Sequence, residues 1–195
     1  MVLHFHRLDN SSMKNIFFLA LSLISFGFVS QTVTTQNQEW IVSPSTVKFR
    51  IKNAGFNIDG TFSGLTARII FDASKGFGNS IEANIDSKTI NTGNGTRDGH
   101  LKKIEYFDVT GFPTINMKAT LFGKETDGSF RGYFKLTMKG KTKDVLVPFT
   151  FTEKDGKGTL KGTFTINRLD FGVGESSMIL SNNATISIEV NAIKK

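Results

Sequence analysis

The chain has 195 residues, with 24 lysines and arginines against 17 aspartates and glutamates, a net charge of +7 at pH 7, and no cysteine. The lack of cysteine excludes a disulfide framework and a lipid-bearing cysteine anchor, so packing and ladder hydrogen bonds must hold the fold. The densest basic stretch is Lys139-Gly140-Lys141-Thr142-Lys143 and the other basic residues are spread along the chain, which suits solubility and weak attraction to an anionic membrane surface.

Residues 16–29 form an apolar run of 14, shorter than the ~20 residues that cross a bilayer as a helix. Lys14 precedes the run, and Met13 is the expected start. Residues 1–30 therefore read as an N-terminal extension and a secretory signal peptide. Cleavage is expected after Ser25-Phe26-Gly27 or near Ser30, delivering a periplasmic or secreted protein. Export makes nucleic acid an unexpected partner. Loss of residues 1–30 removes Arg7, Lys14 and Asp9, leaving 22 basic against 16 acidic residues, or +6. Residues 31–38 are polar and read as a flexible leader, and residues 39–195 as one domain. Of 19 phenylalanines 14 lie beyond residue 30, beside 2 tyrosines and 1 tryptophan in the whole chain. Phenylalanine has no polar handle, so the interior is dry. Composition leaves open whether it is a solid core or a greasy cavity.

From Trp40 onward apolar and polar residues alternate with period two, the strand signature. Val47, Phe49 and Ile51 come first, then Phe56, Ile58 and Phe62, then Ala67, Ile69 and Phe71. After a glycine-rich turn follow Ile81, Ala83 and Ile85. Ile115, Met117, Ala119 and Leu121 form the next set. Phe130, Phe134, Leu136 and Met138 precede Val145, Val147, Phe149 and Phe151. Leu160, Phe164 and Ile166 precede Ile186, Ile188 and Val190. The pattern predicts an all-β fold, an antiparallel barrel of eight or nine strands in which closure removes exposed edges. Gly60, Gly132 and Gly162 fall on the inward face and would give bends or room for bulky neighbours.

Residues 94–109 break the alternation and predict a short helical insertion. Asp98 is the expected cap. Leu101, Tyr106 and Phe107 would pack the insertion on the barrel mouth. His100 is the one histidine of the mature chain, so neither a multi-histidine zinc site nor a nucleophile-histidine pair with an elbow is expected, and no catalytic residue is assigned. Arg97, Asp98 and His100 read as a buried ion-pair and hydrogen-bond cluster that locks the insertion to the rim, or as a site meeting a ligand's polar head group. Arg168 and Asp170 carry the same two readings.

The motifs Gly60-x-Phe62-x-Gly64-Leu65, Arg97-Asp98-x-His100-Leu101, Phe107-Asp108-Val109-x-x-Phe112-Pro113 and Asn167-Arg168-Leu169-Asp170-Phe171-Gly172 stand in an order that resembles the YceI-like family of periplasmic polyisoprenoid-binding proteins. The resemblance covers about residues 39–192 and implies a lipocalin-like barrel with an apolar lumen for an isoprenoid chain. It departs in the short run Ser176-Ser177-Met178-Ile179-Leu180, which would trim the mouth. The lumen residues it implies are Phe49, Ile51, Phe56, Phe62, Ile69, Phe71, Ile81, Leu101, Phe107, Met117, Phe134, Leu136, Phe149 and Phe164. Arg97, Asp98, His100, Arg168 and Asp170 would form the mouth. No cofactor or metal is expected beyond a bound isoprenoid lipid, a prenyl quinone or polyprenyl phosphate. Two alternatives stand beside the carrier reading. One is a module that presents quinone to a membrane redox enzyme, with transient membrane or protein contact. The other is a ligand-free, stress-induced domain with a solid core. Monomer and homodimer are both open.

Overall fold

In the computed structural model, which describes residues 37–195, the alternation becomes nine strands. The expected signal segment and leader residues 31–36 lie outside the described residues. Asn37 and Gln38, the last residues of the expected leader, are held in place. Asn37 Nδ2 donates to Phe77 O and Asn79 Oδ1, and Phe71 N donates to Gln38 O. Among the described residues no helix is long and apolar enough to cross a membrane.

The strands are β1 (Glu39–Val42), β2 (Ser45–Asn53), β3 (Phe56–Ile70), β4 (Ser80–Asp86), β5 (Thr114–Lys124), β6 (Phe130–Met138), β7 (Lys141–Lys154), β8 (Lys157–Asn167) and β9 (Leu180–Lys194). From β2 to β9 each pairs antiparallel with the next, and β9 returns to β2. This closes an eight-stranded barrel. β1 is the extra strand, wedged between the ends of β3 and β9. It continues the line of β2 along β9, broken at Ser43-Pro44, where proline has no N–H to give the ladder.

Local chemistry sets the register. Ala54-Gly55, Lys139-Gly140 and Asp155-Gly156 are two-residue hairpin loops with positive φ at both positions, the type I′ geometry that matches strand twist. Two irregularities change which face points inward. Between Ser45/Leu65 and Val47/Phe62 the longer step lies on β3, at Ser63-Gly64. Phe62 before it and Leu65 after it are both buried. The second lies on β5 between Ala119 and Leu121. It corrects the expected inward Leu121, which is 61% exposed. Leu121 instead pairs outside with Tyr133, beside Leu146, and Phe122 turns in.

One end of the barrel is filled. Phe71 is 0% exposed and its ring packs edge-on to Phe122, Phe130, Phe149 and Phe151 at centroid distances of 5.0–5.8 Å. Trp40 packs on Phe151 and donates its Nε1–H to Phe71 O at 2.9 Å.

The other end carries the insertion between β4 and β5. It contains a 3-10 turn at Ser87–Thr89 and one α-helix, α1 (Gly95–Leu101). The cap is Asn94, whose side chain accepts from Arg97 N at 3.0 Å, not Asp98 as the sequence predicted. Asp98 lies in the first turn and accepts from Thr92 N and the Thr92 hydroxyl, fixing the strand-to-helix corner.

Candidate functional site

The half of the barrel above the aromatic plug is hollow. Its cavity measures about 530 Å³, within the ~300–1,000 Å³ typical of small-molecule sites. Phe49 and Ile51 come from β2, Phe62 and Ile69 from β3, and Ile81 from β4. Met117, Phe134, Leu136, Phe149 and Phe164 come from β5 to β8, and Leu101 and Phe107 from the insertion. Two expected lumen residues are elsewhere. Phe56 keeps the register of inward Ile58 and pairs with Asn53, but as the first residue of β3 it lies beyond the cavity and is 74% exposed. Phe71 lies one residue past the end of β3 and fills the plug instead of lining the cavity.

Glycines explain why a phenylalanine-rich barrel has space at all. A Cβ on Gly60 would strike the Phe49 ring, and one on Gly132 would strike the Phe134 ring. Each ring therefore lies over a glycine, flat along the wall, and does not project into the lumen. Gly162 likewise makes room, for Val147.

Polar lining is confined to the mouth: Asn53 at the end of β2, Thr92, Asn94, Thr96, Arg97 and His100 in the insertion, Tyr106, and Arg168 after β8. The Asn53 Oδ1 is buried with no hydrogen-bond partner. Arg97 does not pair with Asp98. Its Nε donates to the Thr92 hydroxyl at 2.7 Å and its Nη2 to Thr92 O at 2.8 Å. Neighbouring residues on a helix point away from each other, so Thr92 mediates between them. His100 is exposed, set edge-on to Tyr106 at 5.4 Å. The expected buried ion-pair cluster is thus an open hydrogen-bonded corner.

Arg168 is buried, yet no carboxylate lies within ion-pair distance among the described residues. Asp170 is exposed and does not meet it. Instead the guanidinium donates to Val173 O at 2.8 Å, Glu175 O at 2.7 Å and Ser181 O at 2.9 Å. Burial pushes its pKa down from the ordinary arginine value, opposed by Tyr106. One planar fork thereby staples both ends of the segment between β8 and β9 and stands in the cavity wall.

Several lining residues escaped the sequence reading. Ala184, Ile186, Ile188 and Val190 of β9 line the cavity throughout. The period-two alternation of Ile186, Ile188 and Val190 is the signal in the sequence that marks them. Nothing local in the sequence marks Asn53. Among the described residues no three histidine, cysteine or acidic side chains gather to hold a metal ion.

The YceI-like domain model matches residues 40–192, from β1 to β9 and through the insertion. A UPF0312 protein of Pseudomonas fluorescens is 32% identical over 160 residues, covering 76% of this chain and 81% of the relative. Burkholderia cenocepacia BcnA shares the fold with a TM-score of 0.73 at 24% identity, over 76% of this chain and 96% of that one. A Campylobacter jejuni YceI protein gives a TM-score of 0.65 at 27% identity, over 72% and 86%. A polyisoprenoid-binding domain from Saccharophagus degradans gives 0.63 at 12% identity, over 82% and 99%. With the barrel, the insertion and the family model coinciding over the same residues, this chain belongs to the YceI-like family.

Proposed function

We propose that the protein is an exported, non-catalytic carrier that holds a polyisoprenoid lipid, a prenyl quinone or polyprenyl phosphate, inside the barrel. The observation that carries this reading is the cavity itself, apolar along its depth and polar only at its mouth. Burying apolar area contributes about 25 cal/mol per Å², so each 100 Å² of prenyl chain adds roughly 2.5 kcal/mol without any directed contact. An apolar pocket discriminates one methylene by only about 1–3 kcal/mol, so selection for chain length is shallow. The head group falls to Asn53, Arg97 and His100. Family membership and the likeness in fold to the Saccharophagus degradans domain support the same ligand class. The apolar run at 16–29 behind Lys14 supports export to the periplasm.

The test is mass spectrometry of an organic extract of protein gently purified from a bacterial periplasm. A prenyl lipid near one-to-one yield is expected. An empty barrel that takes up neither added quinone nor polyprenyl phosphate would overturn the reading.

A further inference from the structure

The open end of the barrel displays large apolar side chains that its own packing does not use. Met178 is fully exposed, and Phe56, Ile104 and Ile179 are exposed with it. They come from three segments that backbone hydrogen bonds join into one rim. Ala54 N donates to Ile179 O at 2.7 Å, and Gly174 N donates to Glu105 O at 2.8 Å. The segment bearing Met178 is ordered. The Ser177 hydroxyl accepts from Ile179 N and Leu180 N, while Arg168 holds Glu175 O and Ser181 O from within. Asn53, Tyr106 and Leu180, next along the same segments, line the cavity. The exposed tips therefore continue the apolar wall outward.

The charges beside these tips differ from those on the barrel wall. Lys118, Lys135, Lys161 and Lys194 each pair with a carboxylate. Lys52, Lys102 and Lys103 flank the rim residues, and no ion pair holds them among the described residues; Glu105 and Glu175 are the acids on the same segments. Ammonium groups free for phosphates beside apolar side chains free for acyl chains are what a membrane interface selects. We propose that this rim docks on a phospholipid bilayer containing anionic lipid, so that the mouth opens against the membrane that supplies the ligand. The inference rests on the lipid-carrier reading above.

Co-sedimentation with vesicles of phosphatidylethanolamine and phosphatidylglycerol tests it, using the chain with residues 1–30 removed. The Met178→Ser/Ile179→Ser variant is expected to lose roughly tenfold or more in vesicle affinity, from the apolar area withdrawn. Phe77→Ser, an exposed aromatic in the loop at the closed end, serves as the control and should bind as wild type. The double variant should still take up quinone added from solvent, but extract it from quinone-loaded vesicles more slowly than wild type. Wild-type vesicle binding by the double variant, an equal loss in Phe77→Ser, or a dimer that the double variant dissociates with vesicle binding unchanged would each overturn the docking proposal. Failure of the wild type to take up quinone from solvent or vesicles would instead overturn the carrier reading.

Discussion

The two ends of the barrel are built from the same residue types and do opposite things. At the closed end phenylalanine rings meet ring edges, and Phe71 is surrounded by four of them. At the open end phenylalanine rings lie over glycines and leave the centre vacant. A phenylalanine opposite another large side chain fills space, whereas a phenylalanine beside a glycine paves a wall. Content of large apolar residues therefore does not measure how solid a barrel is. The pairing across and along strands does.

The largest loss of stability is expected at the plug. Phe71→Ala should cost about 3–5 kcal/mol in chemical denaturation, the range for deleting a buried aromatic side chain. A loss under about 1 kcal/mol would mean that the closed end is not the source of rigidity. At the hollow end the corresponding residue is Arg168. Arg168→Met should cost roughly 3 kcal/mol, because it leaves backbone carbonyls in the wall without donors. Arg168→Lys should recover little of that loss, since one ammonium cannot span carbonyls that a planar fork reaches. Full recovery by lysine would show that charge alone, not the fork, holds the segment.

A matched pair of small-to-large changes sharpens the contrast. Gly158 lies in the closed half, where an added Cβ would approach the Trp40 ring at 2.8 Å and the Phe151 ring at 3.0 Å. Gly158→Ala should therefore destabilise by about 1–3 kcal/mol through overpacking. Ala83 faces the cavity, so Ala83→Leu should change stability by less than about 1.5 kcal/mol while reducing the lipid recovered per protein. Equal stability losses in thermal melts would contradict a hollow upper half.

The smallest effect concerns acid. Hydrogen bonds from Ser74 hold the Asp72 carboxyl below its ordinary range, those from Ser129 do the same for Asp127, and Lys195 does so for Glu39. All three belong to the closed end. Carboxyls with depressed folded pKa values stabilise fully above the ordinary carboxyl range of about 3.9–4.3, and the contribution is lost as pH falls through the folded values. Hydrogen exchange below that range should therefore rise first in the loops holding Asp72 and Asp127. The Arg50–Asp59 pair on β2 and β3 also depresses a carboxyl, but it lies on the outer wall. Earlier opening of α1 would reverse the expected order.

Much of this was legible in the residues. Period-two alternation fixed the strand content, the Asp155-Gly156 and Lys139-Gly140 pairs fixed tight hairpins, and inward glycines marked places where bulky neighbours would lie. Twelve of the fourteen expected lumen side chains stand in the cavity wall, because alternation decides facing wherever a ladder is regular. The expectation failed at one irregularity and at strand ends. The bulge before Leu121 reversed its side, the start of β3 left Phe56 exposed beyond the cavity, and the end of β3 sent Phe71 into the plug. Nor does spacing reveal polar partners. Asp98 and Arg97 both turned to Thr92, and Arg168 found carbonyls in place of Asp170.

Side-chain periodicity and turn chemistry are local properties, and they dictate an antiparallel barrel with a dry interior and an insertion at one end. That half of the interior is empty, and where its mouth lies, follows from packing across the barrel. Whether a ring fills a lumen or lies along its wall depends on the residue across the ladder, and that neighbour is chosen by strand register rather than by position in the chain.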